Sequence, residues 1–165
     1  MDIAYNTTAD QMLRHLPRGA FLSVRSGNKI NTMTIGWGAV GYMWRKPILM
    51  VAVRYSRYTY ELLKEASDFS VCLPGEGQHK TNLAIAGSKS GRDINKFTEL
   101  KLTAQPGRKI ESPVIEGCSL VYECKIIYRD ALDPASLDPA IKDQFYSDGD
   151  YHVLYFGEIL EMYSS

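Results

Sequence analysis

The fold is decided by three adjoining stretches, Ala20-Phe-Leu-Ser-Val-Arg25, Ser26-Gly-Asn-Lys29 and Ile30-Asn-Thr-Met-Thr-Ile-Gly-Trp-Gly38. The first and third are rich in apolar, β-branched and hydroxyl side chains, which favour extended strands. The middle stretch carries a Gly-Asn pair between two polar residues, as tight turns commonly do. We therefore predict a strand, a turn and a return strand that together form a β-hairpin.

Outward from this hairpin, short strand patterns alternate with short helical patterns. Pro47 precedes Ile48-Leu-Met-Val-Ala-Val53, a continuous apolar run that predicts a strand buried on both faces. A helix is predicted over 57–66, where the apolar residues have helical spacing and Ser56 can act as the N-cap. We predict further strands over 68–73, 117–128 and 151–163, further helices over 8–16 and 78–87, and an irregular loop over 88–96. The Pro-containing segment 130–150 is predicted to be an excursion with at most one helical turn.

The predicted elements amount to six or seven strands and about three short helices. Many strands follow one another closely in the sequence, which favours antiparallel pairing. A closed barrel would leave no exposed strand edge, so we expect a mainly β protein with barrel architecture. The 165 residues fit a single domain spanning 1–165.

The overall composition argues against several classes of protein. The formal net charge is +0 and the pI is about 6.8, so a general attraction to nucleic acid or anionic membranes is not expected. No apolar run is long enough to span a bilayer, and residues 1–8 lack the features of a signal peptide, so we expect a cytoplasmic protein. Cys72, Cys118 and Cys124 lack metal-site spacing and are expected to be buried thiols.

The segment Arg54-Tyr-Ser-Arg-Tyr-Thr59 combines two guanidinium groups and two hydroxyl groups with a predicted helix start. A helix N-terminus offers unpaired backbone N–H groups and the positive end of a dipole, and arginines add charge-assisted hydrogen bonds. These features together predict a phosphate site. A simple helix cap flanked by solvated arginines would account for the same residues.

The strand Asn31-Thr-Met-Thr-Ile-Gly-Trp37 places small polar side chains beside an aromatic one. Such side chains can form hydrogen bonds with the edge of a planar ring system, although a half-exposed barrel strand would also favour threonine. Strand alternation places Asn31, Met33 and Trp37 on one face of the strand.

A third candidate segment is the basic loop Gly87-Ser-Lys-Ser-Gly-Arg-Asp-Ile-Asn-Lys-Phe97. Successive backbone N–H groups in such a loop can form an anion-binding nest, whereas a solvated basic loop is the simpler explanation. The order of Gly, Lys and Ser differs from that of a P-loop, and no GxGxxG motif follows a predicted strand. His152 opens the last predicted strand, and a structural role is common for a lone histidine. The acidic segment 130–150 lacks the ligand spacing of a calcium loop, so it is a solvated loop or a lid.

These segments, in this order and spacing, resemble those of the flavin reductase-like family of FMN-binding split-barrel proteins, which includes the flavoredoxins. The resemblance also covers Lys46-Pro47, Phe69-Ser-Val71 and Phe156-Gly-Glu158, and it extends from about Arg18 to Tyr163. It implies a six-stranded antiparallel barrel with Greek-key connections, a homodimer, and FMN near the subunit interface.

The resemblance also implies roles for individual residues. The flavin ring would lie beside the β-strand that contains Asn31, Thr32, Met33 and Thr34. Its phosphate and ribityl chain would be held by Arg54, Ser56, Arg57, Tyr58 and Thr59, with the basic loop contributing Ser88, Ser90, Arg92 and Lys96. Trp37 and His152 would lie on the substrate side.

The family resemblance leaves two redox functions open. One is an FMN-dependent oxidoreductase that takes electrons from NADH or NADPH and passes them to flavin or a small acceptor. The other is a flavoredoxin-type carrier with tightly bound FMN and a protein redox partner. A barrel-shaped binding protein without redox function is a third alternative. The flavin carries the redox chemistry in either redox case, so we predict no catalytic side chain and no metal site.

Overall fold

The computed structural model describes residues 4–164, and nine β-strands are found in that range. They are β1 (Ala20–Ser26), β2 (Lys29–Ile35), β3 (Gly38–Met43), β4 (Lys46–Arg54), β5 (Asp68–Leu73), β6 (Ala104–Gln105), β7 (Val114–Ile115), β8 (Leu120–Ala131) and β9 (His152–Tyr163). Seven of them form one antiparallel sheet in the order β2-β1-β5-β8-β9-β4-β3, while β6 and β7 form a separate pair. The expectation that residues 1–8 are not a signal peptide falls partly outside the described range, since residues 1–3 are not described.

The described part of the chain contains five short α-helices: α1 (Ala9–His15), α2 (Tyr58–Leu63), α3 (Lys80–Ser88), α4 (Lys96–Glu99) and α5 (Pro139–Phe145). The first three confirm predicted helices. The other two were not predicted as helices, since α4 begins at the last residue of the predicted loop 88–96 and α5, with seven residues, exceeds the single turn expected within 130–150. Side-chain caps explain both, because Asn95 accepts a hydrogen bond from the Thr98 amide and Asp138 accepts from the amides of Ala140 and Ile141.

The predicted hairpin is confirmed by the pairing of β1 with β2, in which Ser23 lies opposite Thr32 and Ser26 lies opposite Lys29. The two-residue turn between the strands consists of Gly27 and Asn28. Gly27 has φ +56°, a conformation that glycine adopts without steric cost, and a glycine at this position is typical of hairpin turns.

The mainly β architecture with a few short helices is confirmed, whereas the closed barrel expected from the strand pattern and the count of six strands implied by the resemblance are wrong. The main sheet has seven strands, and β2 and β3 stand at its two ends with no strand pairing between them within residues 4–164. The additional strand is β3, which turns through Trp44 and Arg45 and pairs with β4 along its whole length. Because β9 pairs with the other edge of β4, that strand has no free edge for β2. β2 and β4 are in contact but not paired, which leaves the barrel split.

Two hydrophobic clusters cover the two faces of the main sheet. The larger contains Met12 and Leu16, Leu62 and Leu63 of α2, and inward side chains of six strands. The smaller packs α3, α4 and β7 against the outer face of β1, β5 and β8. All three cysteines are buried, as predicted. No helix among the described residues is long and apolar enough to cross a membrane.

Candidate functional site

The candidate site lies where β2 passes β4 without pairing. A cavity of about 170 Å³, here called the aromatic cavity, is lined by Met33, Thr34, Ile35, Gly36, Trp37, Ala52, Arg54, Arg57 and His152. A second cavity of about 100 Å³, the basic cavity, is lined by Asn31, Met33, Ser56, Arg57, Tyr58, Thr59, Ser88, Lys89, Ser90, Gly91 and Lys96. Met33 and Arg57 line both cavities, so the two adjoin.

Three cations line the basic cavity, and two of them, Arg57 and Lys96, are at least partly buried, whereas Lys89 is exposed. Arg57 donates from Nη1 to the carbonyl oxygen of Gly87 at 2.7 Å, and Lys96 donates from Nζ to the carbonyl oxygen of Ala86 at 2.7 Å. Within residues 4–164, neither cation has a carboxylate oxygen within 4.0 Å, since every ion pair found there involves other basic residues. Both positive charges are therefore without a counter-charge from the described protein.

Lys96 is only 4% exposed, which is unusual for a lysine that forms no ion pair within the described residues. Burial, together with the nearby Arg57 charge, lowers the pKa of Lys96 to about 8. An anion placed in the basic cavity would stabilise the protonated lysine and offset its desolvation. A phosphate group has the charge and the acceptor oxygens that these two cations require.

The basic loop closes over this cavity because residue 91 is glycine. A Cβ atom at position 91 would overlap Oδ1 of Asn31 and lie 2.6 Å from Cδ1 of Tyr58. Asn31 is itself fixed, because its Nδ2 donates to Oγ1 of the buried Thr59 at 2.9 Å. That hydrogen bond joins β2 to α2 and fixes the floor of the cavity.

The aromatic cavity is bounded by Trp37 and His152, whose ring centroids lie 4.9 Å apart. Trp37 is 44% exposed, and the ring of Phe145 meets it edge-on at 5.2 Å. His152 is 8% exposed, and burial and the charge of Arg54 lower its pKa to about 4. The imidazole is therefore neutral at physiological pH and offers a hydrogen bond without a charge.

Arg54 and Ser56 lie beside the cavities, but their polar groups contact the end of the acidic segment. Arg54 donates to the carbonyl oxygens of Asp150 and Phe145, at 2.6 Å and 3.0 Å. The amide and hydroxyl groups of Ser56 donate to the Asp150 carboxylate, at 3.1 Å and 2.6 Å. The expectation that Ser56 caps the helix is wrong, since Arg57 occupies the N-cap position of α2 and no side chain caps it.

Most residues predicted for cofactor or substrate contact line one of the two cavities. The exceptions are Thr32 and Arg92. The Thr32 hydroxyl is buried between Ser23 Oγ, at 3.0 Å, and the carbonyl oxygen of Leu22, at 3.3 Å. Arg92 instead ties the loop to α2, because its guanidinium group pairs with Glu61 and lies over the ring of Tyr58.

Five residues that line the cavities were not predicted as site residues, and three of the five are glycine or alanine. They are Ile35, Gly36, Ala52, Lys89 and Gly91. Ala52 offered a weak signal, as a small residue within a run of bulky ones. A small side chain at such a position opens space beside its neighbours.

Residues 13–165 match the family model described as flavin reductase like domain. The chain belongs to the flavin reductase-like family. An uncharacterized protein of Archaeoglobus fulgidus is 32% identical over 152 residues, which cover 92% of this chain and 75% of that protein.

Solved structures agree with this flavin reductase-like assignment. An FMN-binding domain of a flavin reductases-like enzyme from Shewanella baltica is 22% identical, with a TM-score of 0.71 over 99% of this chain and 75% of its own. Flavoredoxin from Methanosarcina acetivorans is 26% identical, with a TM-score of 0.68 over 89% of this chain and 68% of its own. The split-barrel fold is thus shared, although the main sheet here has seven strands.

The neutral state of His152 predicts a pH dependence of stability. The unfolded histidine binds a proton below a pKa of about 6.5, whereas the folded one does so only near pH 4. The free energy of unfolding should therefore decrease as pH falls from 6.5 to 4, by up to about 3 kcal/mol from this residue. Chemical denaturation at several pH values should show this contribution in the native chain and its loss in His152→Gln.

His15→Gln provides the control, since His15 lies on α1 and lines neither of the two cavities. That variant should retain the native slope between pH 6.5 and 4. Equal slopes in native and His152→Gln proteins would contradict the neutral assignment. Lys96 affects stability in a different window, between pH 8 and 10.5.

Proposed function

We propose that this protein binds FMN and acts as an oxidoreductase of the flavin reductase type. The observation that carries the proposal is the pair Arg57 and Lys96, two cations without carboxylate partners among the described residues, in a cavity that adjoins an aromatic one. Family membership supports the same ligand, because the family model is named for flavin reductase. In this proposal the phosphate of FMN binds in the basic cavity, and part of the ring binds in the aromatic cavity.

The protein residues would bind, orient and shield the cofactor. Arg57 and Lys96 would neutralise the phosphate. The hydrogen bond between Asn31 and Thr59 would hold β2 and α2 together beside it, and Trp37 would bound one end of the aromatic cavity. Bound FMN supplies the hydride and electron chemistry. We expect no side chain to act as a covalent or acid–base catalyst in the transfer of reducing equivalents from NADH or NADPH to flavin or a small acceptor.

A flavoredoxin-type electron carrier is the second candidate. It is favoured by the similarity to the Methanosarcina acetivorans flavoredoxin, which is 26% identical. Such a carrier would hold FMN tightly and exchange electrons with a protein partner. The two candidates differ in whether a nicotinamide donor is turned over and whether added flavin is needed.

Absorbance spectroscopy and steady-state kinetics separate these candidates. The purified protein should show a flavin spectrum or bind added FMN, and a reductase should oxidise NADH or NADPH with an acceptor present. A carrier should retain FMN through gel filtration and oxidise neither nucleotide at a catalytic rate. A colourless protein that does not alter the fluorescence of titrated FMN would contradict both.

The phosphate assignment predicts a ligand-selective loss of affinity. Replacing Arg57 and Lys96 together by alanine removes two charge-assisted hydrogen bonds, so FMN affinity should fall roughly a hundredfold or more. Riboflavin lacks the phosphate, so its affinity should fall only a few-fold. Fluorescence titrations of both ligands measure the difference, and Lys101→Ala serves as a control that removes one positive charge from an exposed residue. Equal losses for FMN and riboflavin would refute the assignment.

We also propose that the protein is a cytoplasmic homodimer. Support comes from the exposed rings of Trp44 and Tyr128, since large exposed apolar patches commonly mark interfaces. These two rings lie 6.1 Å apart, so they form one surface between the end of β3 and β8. Light scattering should give twice the 18.6 kDa mass of one chain, and Trp44→Lys should reduce it to the mass of a monomer. A monomeric native protein would contradict the proposal.

A further inference from the structure

The end of the acidic segment is bound to the site at three points. Arg54 donates to the carbonyl oxygens of Phe145 and Asp150, at 3.0 Å and 2.6 Å, so one guanidinium group holds both ends of the six-residue stretch 145–150. Its Cζ atom also lies 5.1 Å from the centre of the Tyr146 ring. The Asp150 carboxylate binds the amide and hydroxyl groups of Ser56. This set of contacts is called the clasp below.

The clasp positions the hydroxyl group of Tyr146 beside the imidazole of His152. The oxygen of Tyr146 lies 2.7 Å from Nδ1 of His152, and Tyr146 is only 5% exposed. Tyr151 stacks on the Tyr146 ring, with centroids 4.9 Å apart. The phenol is thus fixed in position and its hydroxyl group points at one nitrogen of the imidazole.

The direction of this hydrogen bond follows from what else the two groups can reach. Burial raises the pKa of Tyr146, so the phenol keeps its proton. Among the described residues, Nδ1 of His152 is the only hydrogen-bond partner found for that hydroxyl group. If the imidazole donated from Nδ1, the buried phenol proton would have no acceptor there, which is costly. Tyr146 therefore donates, and Nδ1 accepts.

A neutral imidazole that accepts at Nδ1 carries its proton on Nε2. Within residues 4–164, no hydrogen-bond partner is found for Nε2 of His152. Every fully buried side-chain nitrogen or oxygen in that range has a hydrogen-bond partner, so Nε2 is not fully buried. Nε2 is therefore accessible to solvent or to a ligand. Because His152 lines the aromatic cavity, its Nε2–H group is available to a molecule that enters the cavity.

We infer that Tyr146 is a positioning residue, which the Arg54–Ser56–Asp150 clasp holds in place. Its hydroxyl group fixes His152 as the Nε2–H tautomer. His152 is thereby a neutral hydrogen-bond donor to a carbonyl oxygen of a ring compound in the aromatic cavity. The inference rests on the proposed function for the identity of that compound, the nicotinamide ring of NADH or NADPH. It also assigns Arg54 and Ser56 to the clasp, although their sequence had suggested phosphate binding.

The tautomer of His152 can be measured by NMR with ¹⁵N-labelled histidine in the full chain, with and without FMN. Near neutral pH, we expect the proton on Nε2 and an Nδ1 signal displaced by an accepted hydrogen bond. In Tyr146→Phe, which keeps the ring but loses the donor, that displacement should disappear and both tautomers should be populated. A proton on Nδ1 in the native chain, or an unchanged Nδ1 signal in Tyr146→Phe, would overturn the inference.

The clasp is tested by Asp150→Ala beside a matched control, Asp143→Ala. Both remove one carboxylate from the same segment, but Asp143 is exposed on α5 and no hydrogen bond or ion pair is found for its carboxylate within the described residues. Asp150→Ala should change the Nδ1 signal in the same direction as Tyr146→Phe, and Asp143→Ala should leave it as in the native chain. Equal spectra for the two aspartate variants would show that the clasp does not position Tyr146.

A kinetic measurement separates positioning from cofactor binding. In Tyr146→Phe we expect the KM for the reduced nicotinamide nucleotide, NADH or NADPH, to rise about tenfold, as for loss of one oriented hydrogen bond, while FMN affinity stays within about twofold. A parallel loss of FMN affinity would contradict the positioning role. Since the tautomer is also measured without flavin, failure of the native chain to bind FMN would contradict the proposed function while the NMR result still decides the position of the proton.

Discussion

The rest of the site depends on how the edges of β4 are used. β3 pairs with one edge of β4 and β9 with the other, so the backbone N–H and C=O groups of β4 are already engaged when β2 comes alongside. β2 can only pack against β4 through side chains. The aromatic cavity occupies the space between these two strands, and the small residues Gly36 and Ala52 leave room there. A hydrogen-bonded closure between β2 and β4 would have filled this gap.

Positive charge is concentrated beside β2, in the basic cavity. Arg57 is the N-cap residue of α2, which packs on one face of the sheet, and Lys96 begins α4, which packs on the other face. Burying Lys96 near Arg57 without a carboxylate partner among the described residues costs stability, and the lowered pKa of Lys96 is one expression of that cost. The arrangement is understandable if a ligand anion supplies the missing charge. Natural proteins commonly carry such local costs at binding sites.

Much of this fold was predictable because local sequence decides it. The β1–β2 hairpin has a turn suited to glycine, and α2 has helical spacing of apolar residues. β3 was missed because its two glycines weaken the strand pattern and its turn uses Trp44 and Arg45 at positive φ, where Asn-Gly is the usual signal. The contact between Ser56 and Asp150 joins residues 94 positions apart, so no local pattern could indicate it. The sequence showed that Ser56 could bind an anion but not which anion.

That last ambiguity bears on how the site discriminates among ligands. A carboxylate of the protein and a phosphate of a ligand compete for the same donors, namely hydroxyl groups, amides and guanidinium groups. Asp150 and two backbone carbonyl groups already engage Ser56 and Arg54, so these donors contribute less to binding a second anion. In the proposed binding mode, Arg57, which lines both cavities, and Lys96, which lines only the basic one, then form the stronger anion site. Lys96 lies at one end of the site and Trp37 and His152 at the other, which suits a ligand that carries its phosphate at a distance from its ring.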